Sequence, residues 1–568
     1  MAEVQVKKRK KRTISDFQKT LNHLRDKHTP LHTVEFELAL LPFQEWKINR
    51  LGEQLRVIRN TVLGELTKNH QQMVRTKAYK RTLKHYRAVA ECLKKATEAE
   101  RKLFEKEKGV LAKRFKELRA IHNVTFDFAR KYGAELRASK YSLPDSVTVW
   151  SVCEMAWKSM ESVLYRGAEK PRFYKKDEWV TLQGKQAERC IILKRNKADG
   201  SFFVSHDGMT FPLKVKRNDL FLEETLSCIS FYLDNSKAND NANVERYLGD
   251  LPIESTFRIR NNRIVRKEIR GKIRYFLQTV LEGHPVPKRK RDGSFRHELG
   301  SGRVSIDIGT QSIGLVSKEK VVLKNLAERS THTFGNERKI VLHQRKMERS
   351  KRSMNPQNFH PNGRIKKGKK EWVFSKRYLN LKQQLKEHHR KAAVNRKYAH
   401  NEDVNRIRSW GDEAVIETMN IKGLQKKAKV ATRNEKTGKW NSRKRFGKSI
   451  LNRSPGYFIS QLKERFQATG GTVREVNTWT FKASQYDHVL DAANKKQLSQ
   501  RWHTLPCGTK IQRDLYSAFL LQCSDADWQK PNNEECQIFF PIFYPLHQQC
   551  IEHIQNSHQA VLNSGIKF

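Results

Sequence analysis

The sequence predicts a multidomain α+β chain: a small β-barrel with an inserted lobe of helices, then an α/β domain whose sheet presents carboxylates. Three observations predict it. An amphipathic tract from Phe43 to Lys131 is bracketed by strand-like segments, one before it near Val34 and several after it. In the second half, apolar strand-like runs each carry one isolated acid, Asp307 and Glu417, and a third acid, Asp514, opens a helical pattern. Finally, 568 residues exceed what a single core supports, so two or three domains are expected.

Charge narrows the function classes. Lys and Arg number 113 against 60 acids, a net charge of +53, with a pI near 10.1. Self-repulsion on this scale opposes compaction, so a polyanion belongs to the working particle. Membrane is excluded as that polyanion, because no apolar run approaches a spanning length and no signal peptide opens the chain. The eight cysteines stand singly with no CxxC pair, which fits a reducing compartment without a disulfide framework. Nucleic acid is the expected partner.

Taken in order, Lys7 to Arg12 form a basic run read as a solvated arm touching phosphates or as a nuclear import signal, and Lys288 to Arg291 invite the same reading. Thr33 to Leu40 alternates as a strand. In the helical tract Leu51, Leu55, Ile58 and Val62 recur at helical spacing, with Lys and Arg on the outer faces. After Leu143-Pro144 a short helix, Val147 to Leu164, leads to strands at Trp179–Leu182, Cys190–Leu193 and Phe202–Ser205, which the strand near Val34 completes into the barrel. Arg172, Phe173 and Lys175 suit base stacking with phosphate contact, although Phe173 and Tyr174 equally suit packing in the barrel. Phe257–Asn262 and Arg263–Arg266 read as two strands across an Asn-Asn turn, with Pro285-Val286-Pro287 beginning a linker.

From Val304 to Val316 the chain reads as strand, Gly-supported turn and strand, with Asp307 as the one carboxylate on it. Buried, that carboxylate is costly unless a cation meets it, and a divalent metal is the usual partner. Glu417 lies in the apolar strand Ala414 to Met419, and Asp514 follows Arg513 at the start of a helix running to Leu521. Two carboxylates on adjacent strands and a third from a facing helix suit two Mg²⁺ ions about 3.5–4 Å apart, with Mn²⁺ able to substitute. Actin-like sugar kinases also open on Asp-Ile-Gly-Thr, but they need a second Gly-rich phosphate loop, which is not found here, and have no use for this charge.

At these residues the sequence resembles the transposon-encoded TnpB family and its relatives, the type V CRISPR effectors. Asp307 with Gly309, Glu417 with Asn420 and Gly423, and Asp514 after Arg513 match the three split motifs of their RuvC-like nuclease domain, which has the RNase H fold. Leu342 to Arg352 resembles the family's basic bridging helix, and Pro171-Arg172-Phe173 with Lys175 the segment entering its wedge barrel. The resemblance implies an RNA-guided DNA endonuclease: guide RNA on the barrel and basic faces, double- and single-stranded target DNA, a short flanking DNA motif and one RuvC site. It implies a basic N-terminal arm at 1–32, a first wedge strand at 33–42 and a helical recognition lobe at 43–142. The wedge barrel and linker then fill 143–302. A RuvC-like domain occupies 303–524, with a basic helix and loop at 338–400 and a degenerate zinc ribbon at 483–510, and a tail at 525–568 packs on it. Arg513 would touch the scissile phosphate or orient Asp514.

The chain departs from the family where a four-cysteine ribbon usually stands. Only Cys507 remains there with His488 and His503, and that ligand count predicts a fold held without zinc. Phosphate-contact candidates are Arg345, Lys346, Arg349, Lys351 and Arg352 on the bridging helix, Lys366 and Lys367 in the Gly-, Pro- and Lys-rich loop from Asn355 to Lys370, and Arg390 and Lys391 on the helix that follows. The basic stretch from Lys426 to Lys448 reads as a lid. Rival readings are a guided DNA binder with weak or no cleavage and a DNA transposase of RNase H-like fold. The compartment follows the host: cytoplasmic and nucleoid-associated in a prokaryote, nuclear in a eukaryote. Monomer and dimer stay equally open.

Overall fold

The computed structural model describes residues 31–567 apart from 177, 216–218, 237–257, 284, 287–289, 328–331, 429, 435–437, 439, 442–446, 495 and 498–499. The basic run at Lys7 to Arg12 and the start of the one at Lys288 lie outside the described residues. The chain divides into two compact units, Met1–Val286 and Pro287–Phe568.

In the first unit β1 (Leu31–Leu38) alternates, burying Val34, Phe36 and Leu38 while Glu35 and Glu37 face outward and pair with Lys267 and Arg274. The long helical tract is cut at capping residues. Helix α1 (Pro42–Arg75) buries the stripe Ile48, Leu51, Leu55, Ile58 and Val62. Thr76 then accepts a bond from the Tyr79 N–H and starts α2 (Lys77–Lys95). Thr97 and Glu100 box the start of α3 (Glu98–Ile121), and Thr125 caps α4 (Phe126–Lys140). Helix α5 (Ser146–Arg166) starts on Asp145 and ends on Gly167 at φ 71°.

Strands β2 (Leu182–Gln183), β3 (Ile192–Arg195), β4 (Phe202–His206) and β5 (Met209–Lys214) precede α6 (Leu220–Asn235), and β6 (Arg258–Ile269) and β7 (Lys272–Glu282) follow it. They join β1 in one antiparallel sheet of order β2-β6-β7-β1-β5-β4-β3. The early strand thus completes the later ones, with the helices inserted between them. The pairings among the described residues make a seven-stranded sheet and do not join β2 to β3.

Three sequence expectations are corrected here. The Asn-Asn turn is absent: Asn261 and Asn262 sit inside the continuous β6, past a bulge after Ile259. The reversal falls instead at Arg270-Gly271, whose φ values of 52° and 77° suit a two-residue hairpin turn. Asn262 belongs in the strand because its buried amide donates to the Ile191 carbonyl. The segment Trp179–Leu182 pairs only from Leu182, since Trp179 instead packs edge-on to Tyr275. The strand expected at Cys190 starts at Ile192, because Cys190 takes the left-handed conformation at φ 70°.

The second unit opens with an antiparallel meander, β8 (Arg303–Ile308), β9 (Ser312–Val316) and β10 (Val321–Asn325). Next come α7 (His332–Met354), α8 (Lys376–Arg408) and β11 (Glu413–Glu417). Beyond them lie α9 (Ile421–Leu424), α10 (Gly447–Arg453), α11 (Pro455–Gln467) and β12 (Thr472–Val476). The sheet order is β10-β9-β8-β11-β12, with β8, β11 and β12 parallel. A one-turn α12 (Thr478–Phe481) leads to two small hairpins, β13 (Tyr486–Asp487) with β14 (Ala492–Ala493) and β15 (Trp502–Thr504) with β16 (Lys510–Gln512). Helix α13 (Arg513–Gln522) packs on β8 and β9, and α14 (Asn533–Asn556) stacks Phe539 and Phe543 on Phe519 of α13. No helix of the described residues is long and apolar enough to cross a membrane.

Candidate nuclease site

The three acids reach one end of the second unit's sheet by separate routes. Asp307 is the penultimate residue of β8, held by its pairing with Gly314 of β9. Glu417 ends β11, the parallel neighbour of β8, so both carboxylates stand at the carboxyl ends of adjacent strands. Asp514 lies in the first turn of α13, which comes close because Gly314 has no side chain: a Cβ there would lie 2.8 Å from the Asp514 carbonyl oxygen. The Ser312 hydroxyl donates to Asp514 Oδ2 at 3.3 Å.

The charges of Asp514 and Glu417 act on Asp307. Desolvation first, then the Asp514 and Glu417 charges, push the Asp307 carboxyl well above the usual carboxylate range, with Arg513 opposing. Burial pushes Glu417 up to about 7 despite a bond from the Ala483 backbone N–H, and its Oε1 is buried with no hydrogen-bond partner. Arg513 places Nε 3.8 Å from Asp514 Oδ1 and donates from Nη1 to the Gln500 carbonyl at 3.0 Å. An unsatisfied oxygen and mutually repelling acids with one nearby guanidinium are what a divalent cation would relieve, so the donor set fits hard oxygen-seeking ions. The acids do not form a tight single-ion cluster. Among the described residues only Asp145, Cys190 and His206 bring three ligand atoms within 4.8 Å of one another. There Asp145 caps α5, the Cys190 thiol donates to it and the His206 ring bonds the Cys190 carbonyl, so the fold already uses all three.

The phosphate-contact candidates fall into two groups. In the first unit Arg172 pairs with Glu178 and lies over the Tyr174 ring, while Phe173 is 44% exposed and the Lys175 side chain is exposed. Phe173 therefore does not pack in a core. Tyr174 does: its ring takes the buried Arg59, whose guanidinium sits 3.8 Å from the ring centroid. Arg59 was not legible in the sequence, lying in a run of helix-compatible cations.

In the second unit Lys346 and Arg349 of α7 meet Arg377 at the start of α8, lining with Ser350, Ser353 and Met354 an open cavity of about 400 Å³. Arg377 was also missed; its signal is its place two residues after the Ser375 cap. Lys351 lies 4.1 Å over the Trp372 ring and Arg352 lies over Phe359, while Arg345, Lys366, Lys367 and Lys391 belong to the same unit and carry no ion pair among those described. Arg390 is occupied by Glu387. The Gly- and Pro-rich loop is tied down: the Asn355 side chain bonds both the N–H and the carbonyl of Val373, and Asn358 bonds the Glu371 carbonyl.

The cysteine-poor segment does not gather its candidate ligands. His488 bonds the Tyr516 hydroxyl at 2.8 Å, His503 pairs with Asp487 at 2.8 Å, and Cys507 is exposed with its thiol donating to Thr509.

No protein-family model and no curated protein matches the sequence. Among solved structures, the chain is similar to one in a cryo-EM structure of the Cas12f1-sgRNA-target DNA complex, at 10% identity and a TM-score of 0.38. The match covers 88% of this chain and all (100%) of that one. A CRISPR-Cas12f ternary complex matches at 11% identity and a TM-score of 0.24, over 86% of this chain and 98% of that one. Superpositions this loose carry no functional weight; the residues do.

Proposed function

We propose that this chain is an RNA-guided DNA endonuclease whose second unit is a RuvC-type nuclease domain of RNase H fold, akin to the TnpB family and the type V effectors. The observation that carries the reading is the meeting of Asp307, Glu417 and Asp514 at one end of a sheet, where burial first and then the two acidic neighbours push the Asp307 carboxyl above the usual carboxylate range. The sheet order, an antiparallel meander followed by two parallel strands, also supports it.

In this reading Asp307, Glu417 and Asp514 hold two Mg²⁺ ions. When bound, these would lower the pKa of the attacking water and stabilise the departing oxyanion of the phosphodiester. Arg513, fixed by the Gln500 carbonyl, orients Asp514 and offers a guanidinium to the scissile phosphate. Gly314 lets α13 bring Asp514 to the strand ends, and Ser312 fixes its carboxylate. A net charge of +53 supports a bound RNA as part of the particle, with a guide–target duplex held through its backbone. The cavity between α7 and α8 and the Arg172–Lys175 segment are proposed contacts to that backbone, while the stretch from Lys426 to Lys448 read as a lid lies in large part outside the described residues.

The test is to purify the protein with its co-expressed RNA, sequence that RNA, and add matched plasmid with randomised flanks in Mg²⁺ or EDTA. Cutting that needs both RNA and Mg²⁺ supports the proposal. RNA-dependent retention without cutting would make the chain a guided binder instead.

A further inference from the structure

Trp479 is the most exposed large hydrophobic side chain of those described, at 86%, and it stands beside the candidate site. A single exposed apolar side chain is ordinary; what sets this one apart is its place on a turn bonded to the strand end that carries Glu417. Its backbone is held firmly. The Asn477 side chain accepts from the Trp479 N–H at 3.0 Å, and Thr478 donates to the Thr418 carbonyl at 2.6 Å, next to Glu417. Thr418 N–H in turn bonds the Val476 carbonyl, and Val476 is the register partner of Glu417. On the far side Phe481 is buried at 2% exposure, and the Ala483 N–H reaches the Glu417 carboxylate. One short turn thus ties the indole to the strand end that carries a catalytic acid, anchored before and behind.

The surroundings select the occupant. Lys482 follows the turn, exposed and left-handed at φ 52°. An exposed aromatic face on an anchored turn, with the Lys482 cation closing that turn, is complementary to a nucleobase with its phosphate, since stacking tolerates any base and the cation tracks the backbone. We infer that Trp479 stacks on a nucleobase of the DNA strand being cut and so holds the scissile phosphate over the three acids. This rests on the nuclease reading and adds a positioning residue to it.

The test uses the full-length protein with its copurified RNA and a matched duplex whose cut strand carries a single abasic site, moved one nucleotide at a time. Trp479→Ala is expected to slow cleavage about 5- to 150-fold, the range of one lost base stack, and Trp479→Phe to stay within about 3-fold. RNA retention, uncut-duplex binding and the melting temperature should not move. One abasic position should slow the wild type and add nothing in Trp479→Ala, because both remove the same contact. If the wild type cuts but no abasic position loses its effect in the variant, the stacking role is wrong and the nuclease reading stands. If Trp479→Ala melts several degrees lower, the indole packs on protein and the inference fails. If the wild type itself never cuts, the nuclease reading falls and takes this role with it.

Discussion

Glu417→Gln separates a metal-holding carboxylate from a structural one. Burial raises Glu417 from 4.5 to about 7, so the ion-free folded protein binds a proton there that the unfolded chain has released. Between those values stability falls as pH rises: the contribution is whole below 4.5 and lost by the time pH passes 7. The two and a half units correspond to about 3 kcal/mol of strain at pH 8 and under about 1 kcal/mol at pH 5. Gln keeps the shape and an acceptor for the Ala483 N–H but removes the charge. In EDTA the variant should therefore melt higher than the wild type, by roughly 5–10 °C at pH 8 and about 2 °C at pH 5. With Mg²⁺ at 100 times its dissociation constant the wild type should gain about 2.7 kcal/mol, and the variant much less. Scanning fluorimetry at both pH values, with EDTA or Mg²⁺, reads all four arms. A variant that melts lower at pH 8 in EDTA, or that gains as much from Mg²⁺ as the wild type, would refute the reasoning.

Other substitutions probe different parts of the account. Asp307→Ala should abolish plasmid cleavage while leaving RNA retention and target binding within about 3-fold, read by gel and filter binding. Gly314→Ala puts a Cβ 2.8 Å from the Asp514 carbonyl oxygen; overpacking of about 1–3 kcal/mol should lower the melting temperature and cleavage together. Replacing Lys346, Arg349 and Arg377 by Ala should flatten the dependence of log affinity on log salt by about 2–3, leaving the guided sequence preference intact. Arg513→Lys should cut more slowly than wild type, since an ammonium cannot hold the Gln500 carbonyl and the phosphate in one planar fork.

How much was legible depended on whether a feature is written in neighbouring residues. Asp307 was, because its strand, turn and second strand are consecutive and Gly309 marks the turn. Glu417 and Asp514 were legible as isolated acids in apolar segments, but their convergence is a matter of topology: β11 pairs with β8 across the two long helices α7 and α8. The role of Gly314 is invisible without α13 beside it. In the first unit, Leu51, Leu55, Ile58 and Val62 gave the helix face, yet the breaks at Thr76, Thr97 and Thr125 were passed over although each is a helix-capping residue. The Asn-Asn turn failed because turn composition outweighed strand alternation, and the true turn, Arg270-Gly271, carries only one of the usual residues. Trp479 was missed for a different reason: exposure is not written in sequence, and a Trp in Val476 to Phe481 reads equally well as core.

The most direct measurement is to change the guide. The protein is co-expressed with its native RNA or with the same RNA carrying a new guide segment, and each complex meets two plasmids matching one guide or the other. Mg²⁺-dependent breaks should move with the guide in the wild type and vanish from both plasmids in Asp307→Ala. Breaks that stay in place when the guide changes, or that survive Asp307→Ala, would contradict the proposed guided cleavage.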